Sequence, residues 1–214
     1  MDKIDPKKSM LGYRAKRGEF ETLELPARQY LMIDGHGDPN SSPEFTSAVE
    51  SLYPLAYGLK FLSKRELERD YVVPPLEALW WADDMSAFTT ARDKSRWDYT
   101  LMLLVPDWLS GDDVDRVTDT LREKKRAQAQ TTTPRLGEIR LEQLREGTCI
   151  QTLYIGPFDA EAEVLARLHD EVVPQSGFEL AGKHHEIYLS DFRRVAPERL
   201  RTILRQPVVR VEGG

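Results

Sequence analysis

The chain contains a single cysteine, Cys149, among its 214 residues. One thiol excludes an intrachain disulfide and any metal site built from several cysteines. Cys149 begins an apolar segment, which favours a buried, unreactive thiol over a nucleophile. The sequence also lacks an apolar run near the ~20 residues that span a bilayer, and its N-terminus lacks the apolar core of a signal peptide. We therefore expect a cytoplasmic protein.

An excess of basic residues is also absent. Lys and Arg number 30 against 36 Asp and Glu, so the formal net charge is −6. Binding to phosphate-rich partners needs clustered positive charge. We expect neither a nucleic-acid nor a membrane partner. A hydrophobic content of 40% in a chain of this length is ordinary for a globular protein with a real core.

Several sequence signatures of catalytic sites are missing. Gly35-His36-Gly37 lacks the spacing of a dinucleotide-binding or phosphate-binding loop. No Gly-x-Ser-x-Gly motif is present, so a serine triad has no support. His184 and His185 are adjacent, and neighbours in a strand point to opposite faces, so the two cannot bind one metal ion. The sequence predicts no metal and no cofactor.

What the chain does contain is an internal repeat. Residues 31–38 (LMIDGHGD) and 152–159 (TLYIGPFD) each end an apolar run with a Gly and place an Asp three residues later. A helical pattern follows each segment and ends at Gly58 or Gly177. Each half then has an apolar strand containing a Glu and an extended segment that ends in Pro, and residues 59–82 are predicted to form a hairpin. The order predicts two β-α-β-β units.

The repeat predicts the organisation of the whole chain. We expect an α+β fold in which tandem β-α-β-β units, of the SHS2-like kind, form a pseudo-dimer around a central ligand groove. The predicted parts are a basic N-terminal arm (1–20) and one domain (21–210), made of two halves (21–106 and 147–210) joined by a helical connector (107–146).

The two strands that contain a Glu carry the candidate site. Side chains alternate between faces along a strand. Glu186 therefore shares a face with His184 and Tyr188, and Glu77 shares one with Trp81. Carboxylates beside aromatic side chains suit a flat or cationic ligand, and such surroundings raise a carboxyl pKa. We predict that Glu77, Trp81, Glu186 and Tyr188 line one groove at the seam between the halves.

Each of these residues also has a purely structural interpretation. Glu186 and Glu77 fit solvated positions on a strand surface, and Trp81 fits a core position. Trp80, on the face opposite Trp81, is assigned to the core. The repeat favours the functional interpretation for both glutamates because it places one in each half.

Six segments taken together resemble one known family. The segments are residues 33–40 (IDGHGDPN), 52–57 (LYPLAY), 75–81 (PLEALWW), 156–159 (GPFD), 182–191 (GKHHEIYLSD) and 202–208 (TILRQPV). The chain resembles the GyrI-like small-molecule-binding family, in its standalone form without a DNA-binding module. The resemblance covers about residues 10–210.

The resemblance implies a pseudo-dimer of two β-α-β-β units around a groove. It implies relatives that bind lipophilic or cationic drugs through a buried Glu among aromatic residues, and standalone members that hydrolyse the cyclopropane of DNA-alkylating natural products. Glu186 matches the ligand-facing Glu of the family, and Trp81 and Tyr188 match its aromatic walls. Phe192 departs from the pattern, because a Pro is expected after Asp191.

Two functional hypotheses follow. The first is a detoxifying hydrolase, conferring drug resistance, in which Glu186 activates water and Tyr188 or Tyr154 donates a hydrogen bond to the oxygen where charge develops. The second is a non-catalytic module that binds or sequesters a drug. Both expect a lipophilic or cationic aromatic small molecule as partner and a monomer or weak dimer. The predicted substrate-binding residues are Glu77, Trp81, Tyr154 and His184.

Overall fold

The chain folds into one antiparallel sheet with helices on one face and the N-terminal arm on the other. The computed structural model describes residues 3–82, 93–127 and 135–211. The elements are α1 (Pro6–Ser9), β1 (Glu21–Leu25), β2 (Arg28–His36), α2 (Pro43–Glu66), β3 (Glu77–Trp81), β4 (Asp98–Leu104), α3 (Gly111–Ala127), β5 (Arg140–Leu144), β6 (Gly147–Ile155), α4 (Ala162–Ala166), a π-helical turn (Arg167–Val172), α5 (Val173–Gln175), β7 (Phe178–Leu180), β8 (His184–Tyr188) and β9 (Arg201–Arg210).

The predicted repeat is confirmed. The first half runs β2-α2-β3-β4, and the second runs β6, the helical segment from α4 to α5, β8 and β9. The strand order across the sheet is β1-β6-β9-β8-β3-β4-β2-β5, and β7 pairs with β9. Because β3 pairs with β8, the two halves meet at the middle of the sheet. The fold is the α+β pseudo-dimer expected from the sequence.

Helices cover one face of the sheet, which we call the helix side. In the first half, α2 buries Leu52 and Leu55 against Ile33 on β2 and Leu101 on β4. In the second half, the segment from α4 to α5 covers Ile150 on β6 with other apolar side chains. Removal of this apolar surface from water stabilises both layers. The two helical layers pack over different halves, and the seam runs between them.

The N-terminal arm covers the opposite face, which we call the arm side. Tyr13 is buried in an apolar cluster with residues of the central strands. Main-chain carbonyls of the arm also accept hydrogen bonds from buried arginines. Arg28 Nη2 donates to Leu11 O over 2.6 Å, and Arg205 Nη2 donates to Gly12 O over 2.7 Å. The arm is therefore an integral layer of the domain.

The end predicted for the first helix at Gly58, and the hairpin over 59–82, are wrong. Helix α2 continues through Gly58 to Glu66. Leu59 and Leu62 extend its apolar face beyond the glycine. A Cβ at Gly58 would lie 2.3 Å from Val117 Cγ1 on α3. The glycine thus permits close packing of two helices and does not end the helix.

The predicted connector and the predicted boundary of the first half also need correction. Helix α3 lies within 107–146 as expected, but the segment of β5 in that range is a strand that pairs with β2. Pro26 ends β1, which pairs with β6 of the second half. Each half therefore borders a strand from elsewhere in the chain. Part of the predicted connector, residues 128–134, lies outside the described residues. Among the described helices, none has the length and apolar character that crossing a bilayer requires.

Candidate functional site

The pairing of β3 with β8 decides which predicted site residues meet. Glu186 lies opposite Ala78, and Glu77 lies opposite Ile187. Residues directly opposite in an antiparallel pair project from the same face. Glu186 and Tyr188 therefore face the helix side, whereas Glu77 and Trp81 face the arm side. The prediction that all four residues line one groove is wrong.

The error is one residue of register. The prediction treated Glu77 and Glu186 as matching positions on one face, but Ala78, one residue along β3, is the residue opposite Glu186. A shift of one residue moves every side chain of a strand to the other face. In the correct register, Ala78 and Trp80 share the face of Glu186. Trp80 thus supplies the aromatic wall that was expected of Trp81.

A cavity of about 100 Å³ lies on the helix side at the seam. We call it the seam pocket. Both halves and the loops at the ends of the strands contribute to it. Its lining consists of Pro39, Asn40, Phe45, Trp80, Lys94, Trp97, Phe158, Glu161, Glu186, Tyr188 and Phe192. Six of these eleven side chains are aromatic, and two are carboxylates.

The aromatic side chains form a connected wall. Trp80 lies at the centre, with ring centroids 5.7 Å from Trp97 in an edge-on arrangement and 6.5 Å from Phe45 in a stacked one. Across the seam, Phe158 contacts Tyr188 edge to face at 5.5 Å. Such arrangements are those that aromatic rings prefer. Their mutual packing holds the wall of the pocket in place.

A hydrogen bond crosses the seam next to Glu186. Trp80 Nε1 donates to the Tyr188 hydroxyl over 3.1 Å. The Tyr188 hydroxyl in turn interacts with the Glu186 carboxyl, and Glu161 lies beside the same carboxyl in the pocket lining. Burial raises the pKa of Glu186 to about 7. The pocket therefore contains a carboxyl that exchanges its proton near neutral pH.

His184 lies beside Glu186 but does not line the pocket. Its Nε2 is 3.7 Å from Glu186 Oε1, and its ring packs edge-on against His169 at 5.9 Å. His169 comes from the π-helical turn, an irregularity that brings it over the sheet. Burial lowers the pKa of His184 to about 3, so its imidazole is neutral.

Tyr154 also lies outside the pocket lining. Thr202 on β9 stands opposite both Tyr154 and Tyr188, so the two tyrosines share the helix side. The Tyr154 hydroxyl donates to the carbonyl of Pro157 over 2.9 Å. This hydrogen bond supports the turn that precedes Phe158, which does line the pocket.

Glu77 belongs to a buried network on the arm side. It accepts a hydrogen bond from the Tyr13 hydroxyl and lies 3.0 Å from His185 Nε2. His185 Nδ1 lies 2.8 Å from Glu146 Oε1, and Arg205 Nη1 donates to Glu146 Oε2 over 2.8 Å. Burial lowers the pKa of His185, but Glu146 and Glu77 raise it by more, and the net pKa is above its ordinary value. The network ties the arm, the seam and β9 together.

Trp81 faces a different surface from the seam pocket. The Lys183 ammonium sits over its ring, 3.1 Å from the centroid. The charged side chains that act on Lys183 at this surface are Asp34, Arg140, Asp98 and Glu142. In the three described ranges, no set of three His, Cys, Asp or Glu side chains converges in a way that could hold a metal ion.

Sequence reasoning missed most of the pocket wall. Phe158 and Glu161 follow the Gly156-Pro157 turn, and Phe192 stands at the departure from the family pattern. The turn and the departure were visible as signals, but neither says which side chain points inward. Lys94 and Trp97 come from the short segment before β4 and had no signal of their own. An ion pair between Lys94 and Asp159 joins this segment to the second half.

Comparison with known proteins identifies the family. A model described as the GyrI-like small molecule binding domain matches residues 112–209. The crystal structure of an uncharacterized conserved protein from Listeria innocua is 35% identical, with 97% of this chain and 100% of that chain covered and a TM-score of 0.85. The chain belongs to the GyrI-like small-molecule-binding family.

Other solved structures extend the comparison of this GyrI-like protein. A hydrolase encoded by lin2189 from Listeria innocua is 34% identical, with 97% of this chain and 100% of that chain covered and a TM-score of 0.84. The C-terminal domain of EcmrR shares the fold, with a TM-score of 0.53 at 14% identity over 90% of this chain and 98% of that one. No curated protein matches the sequence significantly.

Proposed function

We propose that the seam pocket binds a lipophilic or cationic aromatic small molecule and hydrolyses electrophilic compounds of the cyclopropane type. The observation that carries the proposal is the buried Glu186 carboxyl, which lies with Tyr188 in the lining of an aromatic cavity. Perturbed carboxyl groups in clefts are typical of functional sites. The likeness to a Listeria innocua hydrolase at 34% identity, over nearly the whole chain, supports the reaction class.

The proposed reaction adds one water molecule across a strained carbon–carbon bond. Glu186, in its ionised form, takes a proton from water as the water oxygen bonds to a cyclopropane carbon. The breaking carbon–carbon bond leaves its electron pair in the conjugated carbonyl system, where negative charge develops on oxygen. The Tyr188 hydroxyl donates a hydrogen bond to that oxygen, and the proton held by Glu186 then neutralises it. The aromatic walls stack on the planar substrate and exclude bulk water.

A second function is favoured by the pairing of Glu161 with Glu186. Two carboxyl groups among aromatic rings suit an organic cation, because the rings attract positive charge and the carboxylates balance it. In this alternative the protein binds and sequesters the ligand without chemistry. The same side chains serve both functions, so only the fate of the ligand distinguishes them.

The test is to incubate the protein with a conjugated spirocyclopropyl dienone and to follow the compound by mass spectrometry. The proposal expects a time-dependent mass gain of one water molecule, above the rate in buffer. Calorimetry in parallel measures binding. Binding without water addition would leave only the sequestering function, and neither binding nor turnover would reject the seam pocket as a site for such electrophiles.

The proposal includes a cytoplasmic protein that acts as a monomer or weak dimer, with no nucleic-acid or membrane partner. Size-exclusion chromatography with light scattering tests the oligomeric state. A stable higher oligomer at low micromolar concentration would contradict this part of the proposal.

A further inference from the structure

The seam pocket is too small for a whole drug-sized ligand. Its volume is about 100 Å³. Pockets that bury drug-sized ligands measure about 300–1,000 Å³, and an engineered cavity of about 150 Å³ holds a single benzene ring. The pocket therefore has room for at most a head group of about one ring. The rest of a larger ligand must lie outside it.

A second, larger cavity begins at the rim of the seam pocket. It measures about 600 Å³ and shares Tyr188 and Phe192 with the pocket. From there it runs along α2 past Tyr53 and Tyr57 and is closed on the other side by the segment around Pro75. We call it the tail groove. The two cavities are therefore neighbours, with Tyr188 and Phe192 between or beside both.

The tail groove presents exposed aromatic surface beside charged side chains, among them Arg193 and Arg194. The rings of Tyr53 and Tyr57 are stacked, with centroids 6.4 Å apart and planes 29° from parallel. The Leu76 backbone lies close to the Tyr53 hydroxyl. Tyr57 and Phe192 are 46% and 39% exposed, so a ligand can cover them. Phe192 contacts Phe158 at 6.4 Å and so continues the aromatic wall from the pocket into the groove.

We infer that the tail groove is a second subsite of the same binding site and that the ligand is elongated, with its head in the seam pocket and a planar aromatic arm over Phe192 and against Tyr53 and Tyr57. The inference rests on the proposed function in one respect, that the seam pocket receives the head. It adds a class of ligand: molecules of at least two linked aromatic units bind better than the head alone.

Two probes with the same head test the inference. Benzyltrimethylammonium supplies the head alone, and (biphenyl-4-ylmethyl)trimethylammonium adds one aromatic ring as an arm. Calorimetry measures both dissociation constants for the full chain. We expect the extended probe to bind at least about 10-fold more tightly, because the arm buries further apolar surface. In Tyr57→Ala, we expect the extended probe to lose about 3- to 10-fold in affinity, as for loss of an aromatic contact, with head binding unchanged.

Phe61→Ala is the matched control. Phe61 is on the same helix and is 50% exposed, but it lines a different surface depression beside Arg65 and Thr120. Both variants place Ala, a strong helix former, at an exposed helical position, so both should fold. Phe61→Ala should bind both probes as the wild type does.

The outcomes separate this inference from the proposed function. Equal affinity of the two probes, or a gain from the arm that survives in Tyr57→Ala, would overturn the tail groove and leave the seam pocket standing. If neither probe binds, the cation-binding function of the seam pocket fails and the subsite fails with it.

Discussion

The proposed chemistry of the candidate site centres on one side chain, Glu186. Its carboxyl is buried, and burial disfavours the charged form more than Tyr188, His185 and Lys94 favour it. Its pKa is therefore raised to about 7, from an ordinary value of 4.5. Glu161 completes the pair of carboxyl groups. A base with a pKa near the working pH combines a large ionised fraction with useful basicity.

The activity should follow the ionisation of Glu186. With a conjugated spirocyclopropyl dienone, we expect kcat/KM to rise with pH and to reach half its plateau near pH 7, since the ionised carboxyl is the base. Glu186→Gln should lower kcat/KM by about 10²- to 10⁴-fold and remove the rise. The measurement is a pH series of initial rates. A wild-type profile that is flat from pH 5 to about 9 would show that another group activates water.

The stability should depend on pH through the same group. Because the pKa of Glu186 is higher in the folded state than its ordinary value, the folded state binds more protons between about pH 4.5 and about 7. The contribution of Glu186 to the free energy of unfolding therefore falls as pH rises through this range and is lowest above it. Glu186→Gln should thus be more stable relative to wild type at pH 8 than at pH 4, by at most about 3 kcal/mol.

Urea unfolding of the two proteins at both pH values measures this difference. Glu142→Gln, at an exposed Glu on β5 that pairs with Arg140, serves as the control for loss of a surface carboxylate. A difference between Glu186→Gln and wild type that is the same at pH 4 and pH 8 would mean that the Glu186 pKa is not raised.

At the scale of strands and helices, the alternation of side chains along each strand was predictable from the sequence. The register between paired strands was not. The sequence correctly put Glu186 and Tyr188 on one face of β8. It did not reveal that Trp80 shares that face, because the hydrogen-bonded offset between β3 and β8 leaves no mark on either strand alone. The prediction that the first helix ends at Gly58 failed for a related reason. Its role is contact with α3, a partner that the local pattern of α2 does not specify.

The arm-side network should be a large source of stability. His185 and Arg205 lower the pKa of Glu146 to about 2 against the opposing effect of burial. Glu146→Gln would leave both cations buried without their shared carboxylate, and we expect a loss of about 3–5 kcal/mol in the free energy of unfolding. Urea denaturation measures it, with Glu142→Gln as the surface control expected to lose less than about 1 kcal/mol. A loss for Glu146→Gln as small as that of the control would contradict this role.

The contact between α2 and α3 should be intolerant of a methyl group at residue 58. Gly58→Ala normally favours a helix, yet here the added Cβ meets Val117. We expect a net loss of about 1–3 kcal/mol, as for overpacking. A double-mutant cycle with Val117→Ala isolates the clash: the second substitution should make Gly58→Ala less costly. If Gly58→Ala lowered the free energy of unfolding equally with and without Val117→Ala, contact with Val117 would not be the cause of the loss.

At the scale of the whole molecule, the duplication explains why the candidate site lies at the seam. Each half contributes a central strand, and their pairing joins Trp80 from one half to Glu186 and Tyr188 from the other. The order of elements was predictable from the repeat. The long-range exchange of β1 and β5 between the halves was not, since strand pairing over more than a hundred residues has no local signature.

A crystal structure with bound (biphenyl-4-ylmethyl)trimethylammonium tests the location of the site directly. We predict the benzyltrimethylammonium head on the helix side, between Trp80 and Tyr188 and in contact with Glu186, with the second ring directed over Phe192. Density for the ligand on the arm side, against Trp81 and Lys183, would contradict the assignment of the site to the seam pocket.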